Sequence, residues 1–221
     1  MAAQAPAPTD GQGHELRGAA PRGLPGLLGI GAVRRGLLVV ISGPSGVGKD
    51  TVIHRLLELD PNLTYSVSGT TRKPRPGEKP DENYTFLTPR EFDDLVARGA
   101  FLEHATYNGN LYGTFRDRVE RTRDAGRDIV LKIDVQGAEQ VRRLMPDAIL
   151  IFVVAPSDEE LRHRQEGRGS ESVQDLASRR QIAEREMTFV SHYDHVVTND
   201  DVERAAREIL GLIQRARERQ T

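Results

Sequence analysis

The sequence contains no cysteine. Neither disulfides nor thiolate metal ligands can therefore hold the fold, which argues against zinc and suits a reducing compartment such as the cytoplasm. Surplus charge is missing too. Lys and Arg number 31 against 33 Asp and Glu, a formal net charge of -2, so there is no broad pull toward nucleic acid or an anionic membrane surface. No apolar run approaches the roughly 20 residues of a membrane span. The expectation is a chain that binds neither nucleic acid nor membrane, with its charged site a local one.

What is present is enough apolar material for one full core: 37% of 221 residues are hydrophobic, at a length that fits one domain with subdomains. Residues 1–35 are rich in Ala, Pro and Gly without helical or alternating pattern, and are expected to be a disordered, dispensable extension. Arg34 and Arg35 imitate a twin-arginine signal, but the apolar run after them is shorter than a secretory core and passes into a glycine loop. They are read as two solvated arginines before a strand. Apolar runs rich in β-branched residues at 37–42, 128–134, 148–155 and 195–199 are separated by helical patterns, which predicts a parallel sheet covered on both faces. The helix after the first run carries Ile53, Leu56 and Leu57 on one face and stops at Asp60 and Pro61. Thr88 with Glu91, and Ser157 with Glu160, have the spacing of capping boxes. A terminal helix striped by Val202, Ala205, Ala206, Ile209, Leu210 and Ile213 is expected to pack on the sheet. Between the first helix and the second strand run lies a long polar insertion, broken by prolines and glycines and too long for a connection. It predicts a substrate-binding subdomain.

Chemistry enters at "VVISGPSGVGKDT", residues 39–51. Gly43, Pro44, Ser45, Gly46, Val47, Gly48 and Lys49 make the G-x-x-x-x-G-K part of a phosphate loop, with Asp50 and Thr51 next. The glycines let backbone N–H groups face a phosphate, the helix presents its positive end, and Lys49 reaches the β- and γ-phosphates. A loop of this kind points to a nucleotide without naming the reaction. In the insertion, Arg72 and Arg75 sit on a chain stiffened by Pro74 and Pro76, a pair suited to a phosphate monoester, although a solvated basic loop is the commoner reading of such residues alone. Tyr84 and Tyr112 offer hydroxyl donors or simple packing. Glu103 in "FLEHA" is either a surface glutamate or an acceptor-only group matched to the adjacent N–H and NH2 of a guanine edge. His104 receives no role.

Taken in order and spacing, "SGPSGVGK", "SVSGTTRKPRPGE", "FLEHA", "GNLYGT", "IDVQGA", "EGRG" and "VTNDD" resemble the guanylate kinase family from about residue 37 to the end of the chain. The resemblance implies a phosphate-loop three-layer α/β/α fold with an inserted α+β subdomain and an arginine-rich lid. Its expected boundaries are an N-terminal extension over 1–35 and a kinase domain over 36–221, whose core is 36–66, 127–156 and 190–221, with a GMP-binding insertion over 67–126 and a lid over 157–189. Carried over by matching residue, it implies Ser68, Glu103, Thr114 and Asp134 around guanine, and Arg72, Arg75, Tyr84 and Tyr112 around the GMP phosphate. Arg164, Arg168 and Arg179 would close over the ATP phosphates, and Asn199 lies in the region of the adenine contacts.

The implied reaction is ATP plus GMP, and by extension dGMP, giving ADP plus GDP in purine nucleotide metabolism, with Mg2+ accompanying ATP. Lys49, Arg72, Arg164, Arg168 and Arg179 would supply the cancelling charge, and no protein nucleophile is needed. The rival classes are a guanylate-kinase-like module that binds phosphorylated protein segments, expected to show an eroded loop, and another small-molecule kinase of the same architecture. Two positions depart from the family: Asp50 stands where Ser, Thr or Gly is common, and Lys132 where an acidic residue is common. The expectation is that Asp50 takes an acidic role near Mg2+ while Lys132 offsets its repulsion of phosphate, the alternative being drift at both sites.

Overall fold

The computed structural model describes residues 34–166 and 181–220. In chain order the elements are β1 (Leu38–Ser42), α1 (Lys49–Leu59), β2 (Leu63–Tyr65), β3 (Gly69–Thr70), β4 (Thr85–Phe86), α2 (Pro89–Ala97), β5 (Phe101–Tyr107), β6 (Asn110–Phe115) and α3 (Arg116–Asp124). There follow β7 (Asp128–Lys132), α4 (Val135–Leu144), β8 (Ile149–Val154), α5 (Asp158–Glu166), α6 (residues 181–187), a 3-10 turn (Val190–His192), β9 (His195–Thr198) and α7 (Val202–Glu218).

Five strands form a wholly parallel sheet in the order β2-β7-β1-β8-β9. Side chains alternate across it, so Val39, Ile41, Val130, Ile151 and Val153 join the α1 and α7 residues Leu56, Ile209 and Ile213 in one buried cluster. Leu38, Val40, Ile129, Leu131 and Leu150 face the other way, onto Val119 of α3 and the α4 residues Ala138 and Val141. Both faces are covered, which is why these strands read as continuous apolar runs. The result is a three-layer α/β/α core. Strand β2 escaped the sequence reading because "LTY" is short and follows Pro61 and Asn62. The chain leaves β1 toward β2 and β7 on one side and later fills β8 and β9 on the other. The crevice beyond the carboxyl end of β1 is thus the switch point where α/β sheets bind ligands.

A second sheet, in the order β4-β3-β6-β5, comes from the insertion. Its own small core stacks Phe92 on Phe101 (centroids 4.6 Å apart) with Phe115 alongside. The register slips between Phe101 and Glu103, so two β5 residues span one step of β6. The bulge lets Phe101 enter the local core, Leu102 enter the main core and Glu103 pair with Thr114 facing the crevice.

The Thr88 and Glu91 box is complete, with the Thr88 N–H donating to Glu91 (2.7 Å) and the Glu91 N–H to Thr88 Oγ1 (3.3 Å). At α5 only half of the box forms. The Glu160 N–H donates to Ser157 Oγ (3.1 Å), but the Glu160 carboxylate accepts from Arg164 (2.7 Å) instead. Arg34 and Arg35 are not simply solvated. The Arg34 guanidinium grips both oxygens of the buried Asp128 carboxylate (2.8 and 3.0 Å), which also accepts from Arg217 (2.7 Å), and Arg35 pairs with Asp124. Sequence spacing could not show this, because Asp128 lies 94 residues from Arg34. Residues 1–33, the remainder of the expected extension, lie outside the described residues.

Candidate active site

The loop after β1 wraps the start of α1. Lys49 folds its ammonium onto the Gly43 and Pro44 carbonyls and lines the crevice with Gly43 and Ser45, while Thr51 is exposed on the outer side of α1. Gly48 has φ 93, and a Cβ there would come within 2.5 Å of Asn199 Nδ2. That amide donates to the Val47 carbonyl (2.8 Å). Asn199 is thus buried as a strut against the loop. Gln165 supports the loop from above, donating to the Ser45 carbonyl (2.7 Å) next to Gly46. Arg164 stands beside it, donating to the carbonyls of Asn199 (3.0 Å) and Val47 (3.5 Å).

The opposite wall belongs to the insertion. Arg72 forms a two-pronged pair with Glu78 (2.8 and 3.0 Å) and lies 5.2 Å from the centre of the Tyr84 ring. Tyr112 meets Tyr84 edge-on at 6.0 Å, and Arg75 is exposed, its N–H donating to Glu78 (2.7 Å). Ser68, Arg72, Arg75, Tyr84 and Tyr112 share one cleft with Lys49 and Asp50.

At the floor lies Glu103, only 4% exposed. Thr114 Oγ1 donates to its Oε1 at 2.5 Å. Burial pushes this carboxyl up to about 7, against the Thr114 hydrogen bond and with help from nearby Asp134. Asp134 caps α4 by accepting from the Gly137 N–H (2.9 Å), and burial raises its carboxyl as well. The surface-glutamate alternative for Glu103 is excluded. A buried acceptor with one oxygen matched by a hydroxyl suits a ligand that presents donors.

Asp50 and Lys132, the two departures, are in direct contact as an ion pair. Lys132 ends β7 beside Ile41 of β1, and its ammonium also lies 5.6 Å from the centre of the Tyr84 ring. Burial opposes its charge, but the surrounding Tyr65, Tyr84 and Asp50 hold it firmly protonated.

Sequence reasoning missed several residues of this cleft. Glu186 on α6 is buried, its Oε2 without a hydrogen-bond partner among the described residues, and burial pushes it up to about 7 against the pull of Lys49. Its only sequence signal is the three-residue step from Ala183, which is buried on the same helix face. Gly137 matters by what it omits, since a Cβ there would lie 2.3 Å from Glu103 Oε2. Arg168 and Arg179, and most of the glycine-rich part of the expected lid, lie outside the described residues.

The family model described as guanylate kinase matches residues 35–216. The guanylate kinase of Rubrobacter xylanophilus is 49% identical over 83% of this chain and 96% of its own length. That of Lactococcus lactis is 48% identical over 81% of this chain and 88% of its own. Among solved structures, the crystal structure of guanylate kinase from Anaplasma phagocytophilum aligns with a TM-score of 0.69 at 36% identity, covering 82% of this chain and 86% of that one. A loop of phosphate-binding form, an acceptor-only floor in the same cleft and these likenesses agree, and the chain belongs to the guanylate kinase family.

Proposed function

We propose that this chain transfers the γ-phosphoryl group of ATP to GMP, and to dGMP, yielding ADP and GDP. The observation that carries the reading is Glu103: a buried carboxylate faces the same cleft as the phosphate loop, so base recognition and phosphoryl transfer share one space. ATP takes the loop of Gly43 to Thr51, with Lys49 leaving its own carbonyls for the β- and γ-phosphates. Guanine sits over Glu103, flanked by Ser68, Thr114 and Asp134, and its phosphate meets Arg72, Arg75, Tyr84 and Tyr112. The GMP phosphate must displace or share Glu78, which neutralises Arg72 in the ligand-free cleft. Transfer is in line from donor to acceptor oxygen, driven by positioning and by charge from Lys49, Arg72 and Arg164.

Among the described residues no group of three or more His, Cys, Asp or Glu could hold a metal. The fit to Mg2+ is accordingly a partial one: Asp50 offers a hard oxygen at the loop, and nucleotide oxygens and water would complete the shell. Bound there, Mg2+ would neutralise charge on the donor phosphates. No described helix is long and apolar enough to cross a membrane. With the balanced charge and the lack of cysteine, that supports a cytoplasmic enzyme of small-molecule substrates without nucleic acid partners.

A coupled ADP-release assay across GMP, dGMP, AMP, CMP and UMP tests the reading. Turnover is expected with the two guanine nucleotides, and equal turnover with AMP would overturn it.

A further inference from the structure

Of the cations in the cleft, Lys132 is the one that the reaction just described leaves without a task. Its side chain is only 17% exposed, whereas its partner Asp50 is 72% exposed. Arg72 differs: it and Glu78 are 15% and 18% exposed, a matched pair in which each buried charge answers the other. A pair with one end in water contributes little to stability, because solvent screens the exposed carboxylate. Burying an ammonium is costly. Lys132 is therefore poorly explained as a brace for the fold.

Position gives it a better explanation. Lys132 occupies the carboxyl end of β7, next to β1 at the switch point, and lines the cleft between loop and insertion. Asp50 reaches it from α1 on the donor side, and the Tyr84 ring stands against it on the acceptor side. The same ring carries Arg72, so Tyr84 has two cations beside it, at 5.2 and 5.6 Å. Tyr65, partly buried on β2, interacts with the same ammonium. A cation fixed before the substrate arrives, in a cleft of low dielectric, acts on an incoming phosphate far more strongly than one in water.

We propose that Lys132 is a phosphate-binding residue of the acceptor side, steadied by Asp50 until the GMP phosphate arrives. This rests on the functional reading above and extends its site by one residue. Binding is the direct test: titration calorimetry of the full chain with GMP, guanosine and AMP, without ATP or Mg2+. Lys132→Met is expected to weaken GMP by roughly tenfold or more, as for a lost charge-assisted contact, while guanosine changes by less than about twofold. Lys132→Arg, which keeps the charge, should retain most of the GMP affinity. GMP affinity in Lys132→Met within about twofold of the unaltered protein would overturn the proposal. Equal losses for GMP and guanosine, not restored by Lys132→Arg, would make the residue structural and overturn it as well. If the unaltered protein prefers GMP to neither AMP nor guanosine, the functional reading itself falls and takes this inference with it.

Discussion

The two walls of the cleft are built on different physical terms. In the function proposed above, the donor wall is one contiguous stretch, Gly43 to Asp50, which would offer backbone N–H donors at a helix start and which Asn199 and Gln165 brace through its carbonyls. The wall proposed for the acceptor gathers side chains from separate segments: Glu103 and Tyr112 from the bulged β5–β6 hairpin, Ser68 and Arg72 from either side of β3, Tyr84 from the approach to β4 and Asp134 from the start of α4. Backbone donors read phosphate, which every nucleotide has. In the proposed pose, a buried carboxylate reads the edge of one base. That reading puts specificity on the acceptor wall, and perturbing each wall separately should give different kinetic signatures.

Glu103→Gln should produce the largest effect. One oxygen becomes an NH2 donor facing the guanine donors, and a site built on such buried hydrogen bonds discriminates by roughly 10^4 or more. GMP turnover should collapse while ATP affinity in a direct binding assay stays nearly unchanged. Full GMP turnover by this variant would break the division of labour. Lys49→Met is the converse test on the donor wall. It should lower kcat by roughly 10^2- to 10^3-fold, as for loss of one transition-state donor, and leave GMP binding nearly intact.

Gly137→Ala probes the acceptor wall indirectly. A Cβ would come within 2.3 Å of Glu103 Oε2 and force the carboxylate aside. A misplacement of about 1 Å can cost about 10^2-fold, so kcat/KM for GMP should fall by roughly that factor with KM for ATP unmoved. Equal losses for both substrates would point to a damaged fold instead.

Each side of the cleft carries a carboxyl pushed up to about 7, Glu103 below the insertion and Glu186 in the field of Lys49, and guanosine binding isolates the first. In the proposed pose guanosine presents two donors to Glu103, so it binds the deprotonated form of a carboxyl that burial pushes up to about 7. Its affinity should fall about tenfold for each unit below that value, and Glu103→Gln should abolish the dependence. Guanosine is the right probe because it lacks a titrating phosphate. The sign for folding is opposite. The folded carboxyl holds its proton to about 7 whereas the unfolded one releases it near 4.5, so this contribution to stability is full below about 4.5 and lost as pH rises through 7. A flat guanosine profile from pH 5 to 8 would show that Glu103 is ionised throughout.

The smallest expected quantity is a coupling between two variants where the walls meet. Asp50→Ser and Lys132→Glu should each impair Mg2+-dependent turnover, and the double variant should recover part of the loss, with a coupling of roughly 0.5 to 3 kcal/mol as for residues in contact. Strict additivity would mean that their contact has no bearing on the reaction.

The parts of this molecule legible in the sequence are those whose causes act over a few residues. Short continuous apolar runs marked β1, β7, β8 and β9, a three-residue step from Thr88 to Glu91 marked the cap of α2, and spaced glycines before a lysine marked the phosphate loop. Strand β2 was too short to carry a period. The cleft was legible only by residue type, since "FLEHA" does not say whether its glutamate is buried. Burial, pairing and proton affinity depend on which distant segments share a volume. The fold therefore decided that Asp50 meets Lys132 across 82 residues, that Arg34 meets Asp128 across 94, and that Glu186 turns inward while Glu184 faces solvent. Local spacing determines which elements form, because backbone hydrogen bonds and side-chain periods are short-range along the chain. Their packing sets the electrostatics of the site, because desolvation and Coulomb energy depend on distance in space.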